Sequence, residues 1–126
     1  MIKSILLVGA GSFVGGALRY LVSLLMKGCC GTSFPWATLA VNLVGCLVIG
    51  AVYAVFARCA STSQALCLLL ATGFCGGFTT FSAFANEGLM MLQGGNIGAF
   101  LAYALTSVVA GVALVALGYW IVNLFC

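Results

Sequence analysis

Apolar residues fill four stretches of this chain, Ile5–Met26, Trp36–Ala57, Ala65–Leu92 and Gly98–Phe125. Between them lie short segments, Lys27–Pro35, Arg58–Gln64 and Gln93–Ile97, rich in Gly, Ser, Thr and Asn. Only Arg19 and Glu87 put a charge inside an apolar stretch. A helix crosses a hydrocarbon core of about 30 Å with about 20 residues, at a rise of about 1.5 Å each. Every stretch is long enough. Backbone groups in lipid must be satisfied within the segment, so the stretches read as helices rather than strands. The pattern predicts an all-α membrane protein of four transmembrane helices, one domain over residues 1–126, with both termini on the same side. Lys3 ahead of an apolar run is also how a signal peptide begins. This run, however, continues past Arg19 to Met26, beyond a removable apolar region of about 7–15 residues, and is read as the first span.

Composition agrees. Of 126 residues, 65% are hydrophobic and 4% charged, against about 25% charged in a soluble domain. So small a chain cannot bury that much apolar surface in its own core; it must face lipid. One acid and no histidine leave no carboxylate pair, no Ser-His-Asp triad and no His-ligated metal, and so argue against an enzyme. Four scattered bases and a net charge of +3 make no nucleic-acid surface. The seven cysteines are odd in number and contain no C-x-x-C pair. Cys46, Cys67 and Cys75 fall in apolar runs, where cysteine packs as a small hydrophobe, and Cys29–Cys30 is an adjacent pair in a loop.

Lysine and arginine in the loops set orientation. Lys3 and Arg58 would share one side; Lys27 lies on the other, with Arg19 in the membrane nearer that end. So even a balance fits two readings. One is a weakly N-inside protein. The other is dual topology, with inverted copies pairing about a two-fold axis in the membrane plane. Gly11 and Gly15 form G-x-x-x-G, a spacing that lets helices approach closely, either between copies or within one.

The third stretch is the least like a plain lipid-facing helix. Thr72–Glu87 reads T-G-F-C-G-G-F-T-T-F-S-A-F-A-N-E. Gly76-Gly77 and Thr79-Thr80 are poor helix formers at mid-membrane depth, and together they predict a broken third helix; an unbroken helix with a glycine notch is the alternative. Carbonyls freed by a break must be buried or bind something, and interrupted membrane helices use them for sodium. Phe81 and Phe84, three apart, would share a face with Phe78 or Phe74. Such a stripe is ordinary packing, or else it turns positive ring edges toward an anion. Ser82 sets a hydroxyl at the same depth, with a bond back to its own helix as the plainer role. Thr38 and Asn42 lie four apart on the second helix; Tyr103 and Ser107 repeat that spacing on the fourth, with Thr106 beside them. These neutral groups form either a ladder of donors for an anion or interhelical hydrogen bonds, each worth about 0.6 kcal/mol. Arg19 either anchors its helix or draws anions toward an entrance.

Three segments carry a resemblance. They are G-x-x-x-G-x-x-x-R-Y at Gly11–Tyr20, T-L-x-V-N-x-x-G at Thr38–Gly45 and G-F-C-G-G-F-T-T-F-S-A-F at Gly73–Phe84. With the length and four-span layout, the chain resembles the Fluc (CrcB) family of fluoride channels over nearly its whole extent. The resemblance implies an antiparallel, dual-topology homodimer with two fluoride pores. A central Na+, structural and not transported, would be held by backbone carbonyls at Gly76 and Thr79 of both copies. Phe81 and Phe84 would line the fluoride path with their ring edges, Asn42 would be the pore asparagine and Thr38 a vestibule hydroxyl. Tyr103 and Ser107 would form the fourth-helix track, with Glu87 near the outer pore and Arg19 as the first-helix arginine. The implied activity is passive fluoride export across the inner (plasma) membrane, lowering cytoplasmic fluoride and its toxicity. The partners would be fluoride, the bilayer and a second copy. Ser12 and Gly16 depart mildly from the family pattern, whereas Ala83 and Gly111 each stand where members can carry a hydroxyl.

Two other functions fit a four-span chain of this size. A small multidrug-type proton-coupled transporter wants a carboxylate in the first helix, and here there is none. A non-transporting subunit of a larger membrane complex would explain the glycines, but not the concurrence of Asn42, the predicted break and the phenylalanine pair.

Overall fold

The computed structural model describes residues 1–29, 33–58 and 63–125. Helix α1 spans Ile2–Cys29 and α2 Trp36–Arg58. The third span is assembled from α3 (Gln64–Cys67), a π-helical segment (Leu68–Cys75), α4 (Gly76–Phe78) and, beyond Thr79 and Thr80, α5 (Phe81–Gln93). Helix α6 covers Ile97–Phe125. Four membrane spans result, Ile2–Gly28, Trp36–Arg58, Gln64–Gln93 and Ile97–Phe125, each overlapping one of the four apolar stretches. The chain is a multi-pass membrane protein. Large apolar side chains such as Phe13, Leu105, Val112 and Trp120 point outward, as they should where the surroundings are lipid. The side chains of the Cys29–Cys30 pair and the centres of the loops on either side of α2 lie outside the described residues; Cys46, Cys67 and Cys75 are free thiols.

Local chemistry sets the ends of the elements. Ser63 caps α3, its hydroxyl accepting from the Ala65 N–H at 3.2 Å, and so satisfies one of the orphan donors of a first turn. Helix α5 ends at Gly94-Gly95. There Gly95 adopts a positive φ of 74°, a conformation open to glycine because it has no Cβ, and its N–H returns to the Leu92 carbonyl at 3.1 Å. Asn96 then starts α6 by accepting from the Ala99 N–H at 3.4 Å.

The helices pack in two close pairs, α1 against the π segment and α4, and α2 against α6. Glycine makes both possible. Gly11 and Gly15 on α1 face the backbone at Leu69, Gly73, Phe74 and Phe78; Gly73 and Gly77, themselves four apart, face back onto Val8, Gly11 and Ser12. A Cβ at any of these four would run into backbone. Of the two uses open to the Gly11–Gly15 spacing, the structure shows packing within one subunit. In the second pair, Gly50 lies against Val115 and Gly118 against Leu47. Two hydrogen bonds reinforce the first pair, from Ser12 Oγ to the Gly73 carbonyl (3.3 Å) and from Arg19 Nε to the Gly77 carbonyl (3.2 Å). Interhelical contact without a hydrophobic driving force depends on such close packing and polar contacts.

Substituting Gly15 by Val should cost about 1–3 kcal/mol, the range for overpacking a tight contact. Gly9→Ala, where nothing lies within 4 Å of the added carbon, should be neutral. Unfolding in detergent micelles, followed by circular dichroism, will separate the two.

Candidate functional site

The break falls at Thr79 and Thr80. Both are extended, with φ and ψ of −81° and 157° at Thr79 and −149° and 116° at Thr80. Of the four weak helix formers expected to open the ladder together, Gly76 and Gly77 remain inside α4. The upstream half is wound wide: in a π-helix each N–H reaches five residues back, and the Gly76 N–H meets the Ala71 carbonyl.

Side chains replace the hydrogen bonds that a continuous helix would have made. The Thr80 N–H donates to Asn42 Oδ1 at 2.7 Å, and Asn42 Nδ2 donates to the Thr80 carbonyl at 3.1 Å. The Thr79 hydroxyl and N–H both donate to the Cys75 carbonyl at 2.9 Å. Thr80 Oγ1 caps α5 by accepting from the Ala83 N–H at 3.2 Å, and it lies 3.3 Å from Ser82 Oγ. In an unbroken helix the Thr80 N–H would close onto Gly76 and the Ala83 N–H onto Thr79. Both donors are diverted, so the carbonyls of Gly76 and Thr79 leave the helix ladder.

The break also divides the phenylalanines. Phe74 and Phe78 stack with centroids 5.8 Å apart, and the backbone at both positions meets α1 at Gly15. Phe81 and Phe84 start the next helix with centroids 5.7 Å apart. The face that Phe81 and Phe84 were expected to share with Phe78 or Phe74 is therefore not formed, because two extended residues reset the helical phase. Phe81 is 79% exposed, whereas Phe84 packs on Tyr103 at 4.9 Å.

One layer outward, Glu87 is held by two hydroxyls from two helices. Thr38 Oγ1 donates to Glu87 Oε1 at 2.7 Å, and Tyr103 OH donates to Oε2 at 2.8 Å. Thr38 and Tyr103 are both buried, which removes competing water and strengthens each bond. Phe34 meets Tyr103 edge-on at 5.5 Å. Glu87 is reached by two clefts, of about 650 and 190 Å³, both bordered by Phe34 and Pro35; the smaller also contains Lys27.

On the other side of this cluster a cleft of about 600 Å³ brings together Asn42, Thr79, Thr80, Phe81, Phe84 and Ser107. The Ser107 hydroxyl is buried without a hydrogen-bond partner, an unusual state for a buried polar group. Thr106 is exposed on the outer side of α6 and does not join the others. At Gly111 an added carbon would meet Cys46 Sγ at 3.5 Å, so this position belongs to the α2–α6 contact. Arg19, half-buried, ties α1 to α4 through Gly77; a cation there also suits the negative C-terminal end of the upstream half-helix.

The structure thus gathers Thr38, Asn42, Gly76, Thr79, Ser82, Phe81, Phe84, Glu87, Tyr103 and Ser107 around the break and the layer above it. Thr80, which the sequence names only as one of the weak helix formers, and Gly45, which it names only as the end of the Thr38–Gly45 motif, join the site as well. Thr80 stands three residues before Ala83, a spacing that fits a helix cap. Gly45 receives the Thr79 methyl group; its place three residues after Asn42 sets it on the same helix face.

A family model described as "CrcB-like protein, Camphor Resistance (CrcB)" matches residues 6–119. Among curated proteins, the chain is similar to the fluoride-specific ion channel FluC of Phocaeicola vulgatus, 43% identical over 118 residues that cover 94% of this chain and 97% of that one. It is likewise similar to the protein of the same name from Chlorobium phaeobacteroides, 45% identical over 122 residues (97% and 94%). The one from Leptospira interrogans is 42% identical over 123 residues (98% and 97%).

Because Thr38 and Tyr103 share one carboxyl, their contributions should not add. A double-mutant cycle of Thr38→Val and Tyr103→Phe is expected to give a coupling of about 0.5–3 kcal/mol, read from reversible unfolding in micelles.

Proposed function

This chain belongs to the CrcB family, and from that membership we propose that it is a fluoride channel of the plasma membrane, passing fluoride passively out of the cell. Its relatives carry the name of an ion channel, and its donor set suits conduction rather than catalysis. Fluoride is small and strongly hydrated; a pore must replace its water without holding it too tightly to leave. Hydroxyls, an amide and ring edges meet that demand because none carries a full positive charge.

The observation that carries the reading is the convergence of Asn42, Ser107, Phe81 and Phe84 on one cleft beside the helix break. A second group, Thr38, Tyr103 and Glu87, lies between that cleft and the outer openings. Fluoride enters past Lys27, exchanges water for the hydroxyls of Thr38 and Tyr103 as these turn from Glu87, and passes the ring edges of Phe84 and Phe81 beside Ser82, Asn42 and Ser107. Arg19 serves as the anchor of α1, since its guanidinium is engaged by a carbonyl.

The working unit is an antiparallel homodimer of dual topology with two pores. Its support is the near balance of Lys3 and Arg58 against Lys27 and Arg19, together with the exposure of Phe81 on a face lined by the break. The carbonyls of Gly76 and Thr79, both diverted from the ladder, fit a structural Na+ completed by the second copy, since unwound carbonyls are sodium ligands. Bound there, Na+ would neutralise carbonyl dipoles that otherwise repel one another in a dry interface. A proton-coupled multidrug transporter is a poorer fit, as α1 offers no acid and Glu87 is engaged by two hydroxyls.

Purified protein in liposomes should release fluoride, measured with a fluoride electrode, and retain chloride. Phe81→Ile or Phe84→Ile should abolish the release, and undiminished efflux would refute their role. A C-terminal tag should be found on both faces of the membrane; a tag on one face alone would dispose of dual topology.

A further inference from the structure

We propose that Asn42 is a positioning residue that fixes the geometry of the helix break, over and above any contact it makes with a passing anion. Its two polar atoms are both engaged by one peptide unit pair: Oδ1 accepts from the Thr80 N–H at 2.7 Å, and Nδ2 donates to the Thr80 carbonyl at 3.1 Å. An amide matches both groups at once, supplying acceptor and donor from one rigid plane. Leucine, which has the same shape, would leave both Thr80 groups without partners in lipid.

Asn42 does not act alone on α2. Gly45, one turn on, leaves the notch that receives the Thr79 methyl group, and a Cβ there would collide with it. Thr79 and Thr80, the two extended residues, are thus each held from the same helix face, one by shape and the other by paired hydrogen bonds. Helix α2 is in this sense the template on which the break is cast. Three consequences follow from the Thr80 clamp. It diverts the N–H that would close onto Gly76, it sets Thr80 in the extended conformation from which its hydroxyl caps α5, and it thereby sets the phase at which Phe81 and Phe84 leave the break. An asparagine donating both amide hydrogens to an anion would have to release the Thr80 carbonyl first.

The effect on conduction rests on the fluoride-channel reading, but the clamp itself is testable without fluoride. Hydrogen–deuterium exchange of the wild type, Asn42→Ala and Asn42→Asp, purified in micelles in fluoride-free buffer, would be followed by mass spectrometry over residues 79–84 and over α6. Asn42→Ala should raise exchange at Thr80 by tenfold or more and leave α6 unchanged. Asn42→Asp keeps an acceptor for the Thr80 N–H and should retain most of the protection, a rescue that a general packing defect would not show. Should the alanine variant fail to fold, Asn42→Ser, too short to bridge both groups, gives the same reading. Unchanged exchange at Thr80 in Asn42→Ala or Asn42→Ser would overturn the proposal, as would loss of protection in Asn42→Asp equal to that in Asn42→Ala. Fluoride efflux of the same proteins separates the two ideas: absence of efflux in the wild type would refute the channel reading and leave the exchange result standing.

Discussion

A backbone group released inside a bilayer has no water to turn to, and this constraint governs the whole molecule. A break at mid-membrane frees several N–H and C=O groups at once. Here, side chains from two neighbouring helices and from the break itself take them up. Asn42 holds both sides of Thr80, Arg19 takes the Gly77 carbonyl, and the two threonine hydroxyls serve Cys75 and Ala83. What remains is a small set of carbonyls directed away from the ladder.

Close approach of the helices is what brings those partners within reach. Arg19 meets Gly77, and Ser12 meets Gly73, because Gly11 and Gly15 let α1 lie against the backbone of the third span. The π winding of Leu68–Cys75 turns this wide stretch of backbone toward α1. On the other side, Gly45 accepts the Thr79 methyl group, and Asn42 on the same face reaches Thr80. Glycine here serves as the absence of a side chain at contact points, more than as a source of backbone freedom.

The polar groups fall into two kinds by what they already hold. Asn42, Thr38, Tyr103 and Arg19 have partners within the subunit, and any ligand must compete with them. Ser107 has none, although its oxygen is buried. A conduction path benefits from such a mixture, since a site whose donors are all free binds an anion too tightly to release it. Glu87, which accepts both hydroxyl hydrogens, is the acceptor that a passing anion has to displace.

Four spans, an all-helical membrane fold and the candidate residues of the third span were legible in the residues alone. Apolar run length and the scarcity of charge are properties of the solvent a segment can tolerate, and they need no tertiary contact to be read. The break, too, was announced by Gly76-Gly77 and Thr79-Thr80. Its position was not, because four weak helix formers lie together and propensity does not choose among them; the Asn42 amide and the Gly45 notch do, by receiving Thr80 and Thr79. For the same reason the four phenylalanines could not be sorted in advance: a helical period presumes a continuous helix, and two extended residues reset it. The use of Gly11 and Gly15 was equally open, since one spacing serves contact within a subunit or between copies. Only the backbone opposite them, carrying Gly73 and Gly77, decided it, because close approach is a property of two surfaces and one helix records only half.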